Sequence, residues 1–455
     1  MTAIMLEKEN SDISPRVSIL SGRYRSATVG IVLIVTLSAF EAMAVGTIMP
    51  VIARELDGLS LYAWAFSSFL IATLLANVVA GGWSDVSGPA RPLLTGLTVF
   101  AVGLVLAGVA PSMWVFVAAR VIQGLGAGTA TVPLYVVIAR VYPEDLRPRV
   151  FAALSAAWVV PSLIGPAIAG FVAEQLHWRL VFLGLIPLVV PAAVILIPSL
   201  RDSGGSGGPR PQAVRFVAAL AVAIGAGALL YTVDHVTWSI LPAAALGLAL
   251  LAAGLPRLLP AGALRFRRGL PTVISVRMCL SGAFFGTEAF IPLALTSVHG
   301  FTPTAAGFVL TLGALGWSAT AWYQGRTKHS GTALALAGTV LITAGVTGVA
   351  AGMPLTGWFG IPAWILAGAG MGLAYSSLSV LMLNLSTPAD QGANSAALQI
   401  GDTLGGALGI GFAGALVTGL GTDRLELGLA AAGTLTAAIA LLAVIAAPRV
   451  RGRHA

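Results

Sequence analysis

The chain has 455 residues, of which 57% are hydrophobic and only 9% are charged. An ordinary soluble domain carries about 25% charged residues, so this composition excludes a water-soluble globular protein. The apolar residues form continuous runs and not the short alternating strands of a membrane β-barrel, which leaves an all-α polytopic membrane protein. The net charge of +8 falls in short loops between these runs, so it indicates topology, and we expect no nucleic-acid partner.

Fourteen apolar runs are long enough to cross a bilayer, which takes about 20 residues per helix. A hydrophilic, glycine-rich stretch at 201–210 separates the sixth run from the seventh and has the composition of a linker. The predicted spans are 28–50, 62–83, 93–110, 114–139, 150–172, 180–198, 214–231, 239–256, 272–295, 303–323, 331–350, 359–384, 393–417 and 427–447.

The distribution of basic residues supports this count. With the N-terminus inside, twenty of the 25 Lys and Arg residues fall in cytoplasmic segments, three in external loops and two inside spans. This asymmetry follows the positive-inside rule, and a miscounted span would reverse every later loop. We therefore expect a multi-pass protein of the plasma membrane, of the inner-membrane type, in contact with lipids and with both termini cytoplasmic.

An internal repeat divides the chain. At an offset of 244, residues 124–170 align with 368–414 with twelve identities in 47 positions, where biased composition alone gives about a tenth. A chance match of glycine-rich hairpins is the alternative to duplication of a six-helix half. Duplication predicts a transport site between the halves. The predicted parts are a cytoplasmic tail (1–27), a first half (28–198), a linker (199–213), two inserted helices (214–256), a second half (272–447) and a cytoplasmic tail (448–455).

The first predicted cytoplasmic loop contains Gly81, Asp85, Gly88 and Arg91. The glycines permit a tight turn, and the carboxylate can meet a helix N-terminus or a basic partner. This pattern resembles the loop signature of the major facilitator superfamily, in which the loop latches two halves together. Val86 stands where that family usually has arginine.

Span 4 carries Arg120 and Gln123, followed by a stripe of Gly124, Gly126 and Gly128. The order resembles the span-4 pattern of the same superfamily. An arginine within hydrocarbon is costly unless it faces a partner or water, so Arg120 is predicted to be functional. The alternative is that its side chain reaches the external interface, about seven residues away.

Span 5 contains Gly165, Pro166 and Gly170, and span 1 contains Glu41 followed by Pro50. The first set resembles the span-5 antiporter signature, and the second resembles the acid-then-proline spacing of the fourteen-span drug:proton antiporters. The resemblance implies a major-facilitator fold of two six-helix halves plus two inserted helices. It also implies no catalytic residue, cofactor or metal.

Few ionisable residues lie within the spans, and coupling requires groups whose charge differs between inward-open and outward-open forms. Glu41 is the predicted proton-coupling carboxylate, with a permanent ion pair to Arg120 as the alternative. Glu288 either lines the same cavity or faces external water. Asp402 either lines the cavity or pairs with a basic loop residue. Arg277 is expected to extend to the cytoplasmic interface.

The sequence therefore predicts a monomeric, proton-coupled secondary transporter that exports multiple drugs or other amphiphilic, lipophilic or cationic compounds. A facilitator or proton symporter for a small metabolite is the alternative on the same fold. A polytopic membrane enzyme is a remote alternative, because the short loops hold no cluster of acids or histidines. Neither a G-x-x-x-x-G-K-[ST] motif nor a second cysteine besides Cys279 occurs.

Overall fold

The computed structural model describes residues 18–22, 24–200, 213–234, 240–387, 390–419 and 424–451. Within these residues it has fourteen helices long and apolar enough to span a membrane, which confirms the predicted fold class. Most of the predicted tails and linker fall outside the described residues. The helices are α1 (Arg25–Glu55), α2 (Tyr62–Ser87), α3 (Ala90–Gly108), α4 (Met113–Val141), α5 (Arg147–Gln175), α6 (Arg179–Leu183 and Ile186–Leu200), α7 (Ala213–Asp234), α8 (Leu241–Leu258), α9 (Leu270–Glu288 and Ile291–Ser297), α10 (Pro303–Gln324), α11 (Gly331–Gly352), α12 (Gly357–Asn384), α13 (Gln391–Gly419) and α14 (Leu425–Ala446).

Several helices begin at residues that hydropathy does not mark. A Ser or Thr side chain just before the first helical residue accepts a hydrogen bond from a backbone N–H of the first turn, which is otherwise without a partner. Hydropathy locates the apolar core of a helix, whereas such caps set its start. The capping residues are Ser112 for α4, Thr302 for α10, Ser330 for α11 and Thr356 for α12.

Helix α9 is interrupted between Glu288 and Ile291. Pro292 has no N–H and cannot donate to the carbonyl of Glu288 four residues earlier. The break is closed by other bonds: Phe290 N–H donates to the Thr287 carbonyl at 3.1 Å. The predicted span over 272–295 is confirmed, as Leu270–Ser297, and it contains this break.

The two halves share one packing scheme. In the first half, α1 packs against α5 and α6, while α2 and α3 pack against α4. In the second half, α9 packs against α13 and α14, while α10 and α11 pack against α12. Each contact recurs eight helices later, as a duplicated bundle requires. The boundaries assigned to the halves from the sequence remain predictions.

A pair of glycine contacts repeats at the sequence offset. A Cβ on Gly124 would collide with the backbone carbonyl of Phe69, and a Cβ on Gly368 would collide with that of Gly313. The two glycines are 244 residues apart in sequence, and so are the two residues whose carbonyls they contact, Phe69 and Gly313. Only glycine allows the backbones to approach this closely, so the repeat preserves a helix contact and not merely a composition.

The halves meet through α2 with α13 and through α5 with α10. We call the end of the bundle at which α1 ends and α2 begins the outer end; it is the predicted external side. Hydrogen bonds join the halves in the outer part of the bundle, from Ser67 to the Ala407 carbonyl at 2.9 Å and from Thr304 to Glu174 at 2.6 Å. Helix α7 packs on both α2 and α13, and α8 packs on α7.

Candidate functional site: two buried ion pairs

Glu41 and Arg120 form an ion pair inside the first half. Glu41 is the 17th of 31 residues in α1 and is 1% exposed, and Arg120 on α4 is 3% exposed. Arg120 Nη1 donates to Glu41 Oε1, and the same Nη1 donates to Gln123 Oε1 at 2.6 Å. The pairing that the sequence offered as an alternative is present, and the interfacial placement of Arg120 was wrong.

Further contacts hold Arg120 within the bundle. Its Nε donates to the Ala65 carbonyl on α2 at 3.0 Å, and its guanidinium lies 4.3 Å from the centre of the Phe69 ring. Gln123 follows Arg120 by three residues, which places both side chains on one face of α4. The guanidinium thus connects α1, α2 and α4, and acceptors meet its Nε and Nη1, which lowers the cost of burying the charge.

The second half has its own buried pair, between Arg277 on α9 and Asp402 on α13. Arg277 Nε donates to Asp402 Oδ1 at 2.9 Å, and Ser281 also donates to Oδ1. Tyr375 on α12 donates to Asp402 Oδ2 at 2.7 Å. The carboxylate therefore receives hydrogen bonds from three side chains on two helices.

The expectation that Arg277 reaches the interface was wrong. It is 3% exposed, and its Nη1 donates to the Tyr375 carbonyl at 2.8 Å and to Ser379 Oγ at 3.1 Å. Its ion-pair partner is 125 residues away in sequence, so proximity to the predicted helix end was misleading. Asp402 pairs with this intramembrane arginine and not with a basic loop residue.

Glu288 lies at the break in α9 and is partly exposed. Among the described residues, no hydrogen bond or ion pair involves its carboxylate. The neighbouring Ala289 carbonyl accepts a hydrogen bond from Tyr62 on α2 at 2.8 Å, so the break adjoins the contact between the halves. The structure does not bring Glu288 into either ion-pair cluster.

The span-5 motif lies where the two halves touch. A Cβ on Gly170 would approach the Pro303 carbonyl on α10 to 2.6 Å, and Gly307 of α10 lies against the backbone of Pro166. Gly165 differs, since a Cβ there would meet Phe40 at an ordinary 3.4 Å. Gly170 and Pro166 therefore permit close contact of α5 with α10, which is a packing role.

The predicted loop motif extends over the end of α2, the turn at Gly88 and the start of α3, so that Gly81 and Asp85 lie in α2 and Arg91 lies in α3. Gly88 has a φ of 78°, a conformation that favours glycine, and this explains the residue at that position. Asp85 and Arg91 are exposed, and Gly81 is partly buried in the last turns of α2. The latch function of this loop remains a prediction.

Sequence reasoning missed three side chains that complete the clusters, namely Gln123 as an acceptor and Ser281 and Tyr375 as donors to Asp402. Two of them could have been found from their spacing, because residues three or four apart share one face of a helix. Gln123 follows Arg120 by three residues, and Ser281 follows Arg277 by four. Tyr375 gave no such signal, because it lies on α12 and reaches Asp402 on α13 only through the packing of these helices.

A membrane bundle of two helical halves, with ionisable groups buried in each half, is the architecture of a secondary transporter. The family model of the Major Facilitator Superfamily matches residues 31–410, and the chain belongs to this superfamily. Its relatives are transporters and not enzymes.

Two similar curated proteins have names that refer to multidrug efflux or multidrug resistance. A probable multidrug-efflux transporter of Mycobacterium tuberculosis is 29% identical over 431 residues, covering 88% of each chain. Multidrug resistance protein 3 of Bacillus subtilis is 23% identical over 415 residues, covering 87% of this chain and 80% of the relative.

Solved structures share the fold at low sequence identity. A POT family transporter in complex with 5-aminolevulinic acid has a TM-score of 0.66 at 16% identity, covering 94% of this chain and 96% of that one. The human organic anion transporter MFSD10 (TETRAN) has a TM-score of 0.64 at 14% identity, covering 93% and 99%. These likenesses show the fold alone.

Proposed function

We propose that the protein exports amphiphilic compounds, cationic ones above all, in exchange for protons by alternating access, with Glu41 carrying the proton. The difference between the two carboxylates carries this proposal. Within the described residues Glu41 has a single hydrogen-bond donor, Arg120, whereas Asp402 has three. Protonation of Glu41 removes the charge attraction of one contact, so its charge can change without dismantling a cluster.

Arg120 retains acceptors when Glu41 is neutral. Gln123 Oε1 and the Ala65 carbonyl stay within reach, at 2.6 and 3.0 Å. A buried guanidinium stripped of every acceptor would be strongly destabilising, so these two bonds lower the cost of breaking the pair. Because Ala65 lies on α2 and Glu41 on α1, protonation would weaken the link between α1 and α4 while α2 stays attached.

Gln123 adds a donor to the cluster. Its Nε2 is buried and has no hydrogen-bond partner among the described residues. An unpaired buried donor is unfavourable, about 1–3 kcal/mol, and a neighbouring carboxylate oxygen or a substrate acceptor would satisfy it. We infer that this amide exchanges partners when the Glu41–Arg120 pair opens.

Glu288 is the residue that we assign to cation attraction. Its carboxylate forms no ion pair within the described residues, so its charge is available to a ligand. Phe290 follows Glu288 by two residues, and Tyr62 lies opposite on α2, in the other half. The centres of these two rings are 5.5 Å apart. Aromatic faces and a carboxylate together suit a lipophilic cation. The name of the Mycobacterium tuberculosis relative, a probable multidrug-efflux transporter, supports export as the direction.

The test is substrate-induced proton movement in proteoliposomes over a panel of lipophilic cations and neutral drugs. Wild type and Glu144→Gln should release internal protons as substrate enters, and Glu41→Gln should lose this movement. Glu144 is the matched control, because its side chain is 91% exposed in the loop after α4. Transport that is equally fast without a proton gradient would contradict antiport and favour the facilitator.

We also infer cytoplasmic termini from the distribution of basic residues. The parent for this test is Cys279→Ser, since Cys279 is the single cysteine of the chain. In intact cells a membrane-impermeant maleimide should label Asp57→Cys, between α1 and α2, and should label Glu144→Cys only after permeabilisation. The reverse result would contradict the orientation.

A further inference from the structure

A crevice in the second half opens between α9, α11 and α14, on another face of α9 than Glu288. It is a half-open groove: the space unoccupied by protein atoms is about 540 Å³ when counted out to the open solvent at its mouth, and about 60 Å³ is accessible to the centre of a water-sized sphere. The Glu41 and Asp402 clusters do not line it. Its walls are mainly aliphatic, including Ala350, Leu429 and Ala432.

The floor of the crevice is built by close helix contacts. Thr287 on α9 and Thr436 on α14 are hydrogen-bonded, with their hydroxyl oxygens 3.0 Å apart. A Cβ on Gly433 would lie 2.7 Å from the Cβ of Ala350, so α14 and α11 approach closely there. The small residues Ala350, Ala432 and Gly433 leave space between the helices above this floor.

The mouth lies at the outer end, and its lining includes one acid, Glu426, and one histidine, His299. Glu426 in the first turn of α14 is exposed, and its carboxylate has no ion pair within the described residues. His299, after α9, has its Nε2 2.6 Å from the Met353 carbonyl, so this nitrogen is the donor. In the neutral ring Nδ1 is then an acceptor, and the mouth offers a negative charge and acceptors to a ligand.

We propose that this crevice binds a single-chain amphiphile with a cationic head, its alkyl chain lying between α9, α11 and α14 and its ammonium group at Glu426. The charge at the mouth selects the head, and the aliphatic walls accept the chain. An anionic amphiphile would meet the Glu426 carboxylate at the same position and is disfavoured. The site is separate from the proposed proton-coupling carboxylate and does not depend on it.

The experiment uses a dodecylammonium probe with a photoreactive group at its chain end, in phosphatidylcholine proteoliposomes of the full-length protein. Labelled peptides are mapped by mass spectrometry. We expect label on the segments 286–299, 349–354 and 426–436, at micromolar probe and in a saturable manner. The label should persist in Glu41→Gln, which distinguishes this site from failure of the proposed proton coupling.

Two variants test the walls and the mouth. Ala350→Phe fills the crevice and should reduce the label about fifteenfold, since displacing two methylenes costs about 1.6 kcal/mol. Ala337→Phe, at an exposed position of the same helix, is its control and should leave the label unchanged. Glu426→Gln should reduce the label about fivefold, and Asp57→Asn, an outer-end acid outside the crevice, should not.

Three outcomes would overturn the proposal. Equal labelling by uncharged and ammonium probes would show a crevice for any acyl chain, including that of bulk lipid. Unchanged labelling in Ala350→Phe would place the probe elsewhere. Unchanged labelling in Glu426→Gln would remove the head-group assignment, and this exposed substitution can be read even if the filling variant misfolds.

Discussion

Each half of the transporter buries one ion pair, and the two pairs are built differently. In the first half, Glu41 depends on Arg120 for its hydrogen bonding within the described structure. In the second half, Asp402 is surrounded by Arg277, Ser281 and Tyr375. A carboxylate with one donor can change its charge state at low cost, whereas one with three donors holds helices together. Duplication of the fold has not duplicated the chemistry.

The pairs also join different helices of the repeat. Glu41 and Arg120 connect α1 with α4, but Arg277 and Asp402 connect α9 with α13, which corresponds to α1 with α5. The first pair therefore arose on a different helix contact from the second. We interpret the Arg277–Asp402 cluster as a brace within the second half, against which the first half moves.

The largest expected effect is loss of the brace. Arg277→Met leaves Asp402 buried without its cation, and breaking a buried pair from one side costs about 3–5 kcal/mol. Thermal unfolding of the purified protein in detergent should show a strongly lowered midpoint. Glu41→Gln, which keeps an acceptor for Arg120, should be clearly more stable than Arg277→Met; equal losses would contradict the distinction between brace and coupling pair.

A second contrast concerns equivalent glycines of the repeat. A Cβ on Gly409 would collide with the backbone of Gly282, whereas one on Gly165 would make an ordinary contact with Phe40 at 3.4 Å. Gly409→Ala should therefore destabilise by about 1–3 kcal/mol, the usual range for overpacking. Gly165→Ala should be within about 0.5 kcal/mol of wild type, as substitutions without a clash usually are.

These two variants are compared by thermal unfolding in the same detergent. A large loss in Gly165→Ala would indicate that this position does more than pack, as its antiporter-like motif suggests. Equal tolerance at both positions would contradict the close approach of α9 and α13.

An effect similar in size to that of Gly409→Ala is expected when one donor is removed from the brace. Tyr375→Phe deletes the hydrogen bond to Asp402 Oδ2 and leaves Arg277 and Ser281 in place. Because the acceptor is charged, we expect a loss of about 1.5–3 kcal/mol in the free energy of unfolding. Proton-coupled transport should continue in liposomes, and a complete loss of coupling would instead make Asp402 a second coupling group.

The fold could be predicted because hydropathy and loop charge are each read from contiguous sequence. The fourteen spans needed no knowledge of tertiary contacts, and the glycine pairs Gly124/Gly368 and Gly165/Gly409 revealed the repeat. The break after Glu288 is not visible in hydropathy, because the segments on both sides of it are mainly apolar. It follows from Pro292, whose missing N–H interrupts the helix.

The buried ionisable residues could be recognised within the predicted spans, but the pairing of Arg277 with Asp402 could not be predicted. Glu41 and Arg120 were recognised, and their pairing was an open alternative. Arg277 was misplaced because its depth along α9 resembles that of an interfacial arginine, and Asp402 joins it only through packing of α9 on α13. One sequence contains no information on such a pairing before the helices are assembled.

The most direct test of the account is proton release when a lipophilic cation binds to the purified protein in weakly buffered detergent solution. Wild type and Asp402→Asn should both release protons on binding, provided that the variant remains folded. Glu41→Gln should bind the cation without releasing protons. Release that is intact in Glu41→Gln and lost in folded Asp402→Asn would contradict the account and assign the coupling group to the second half.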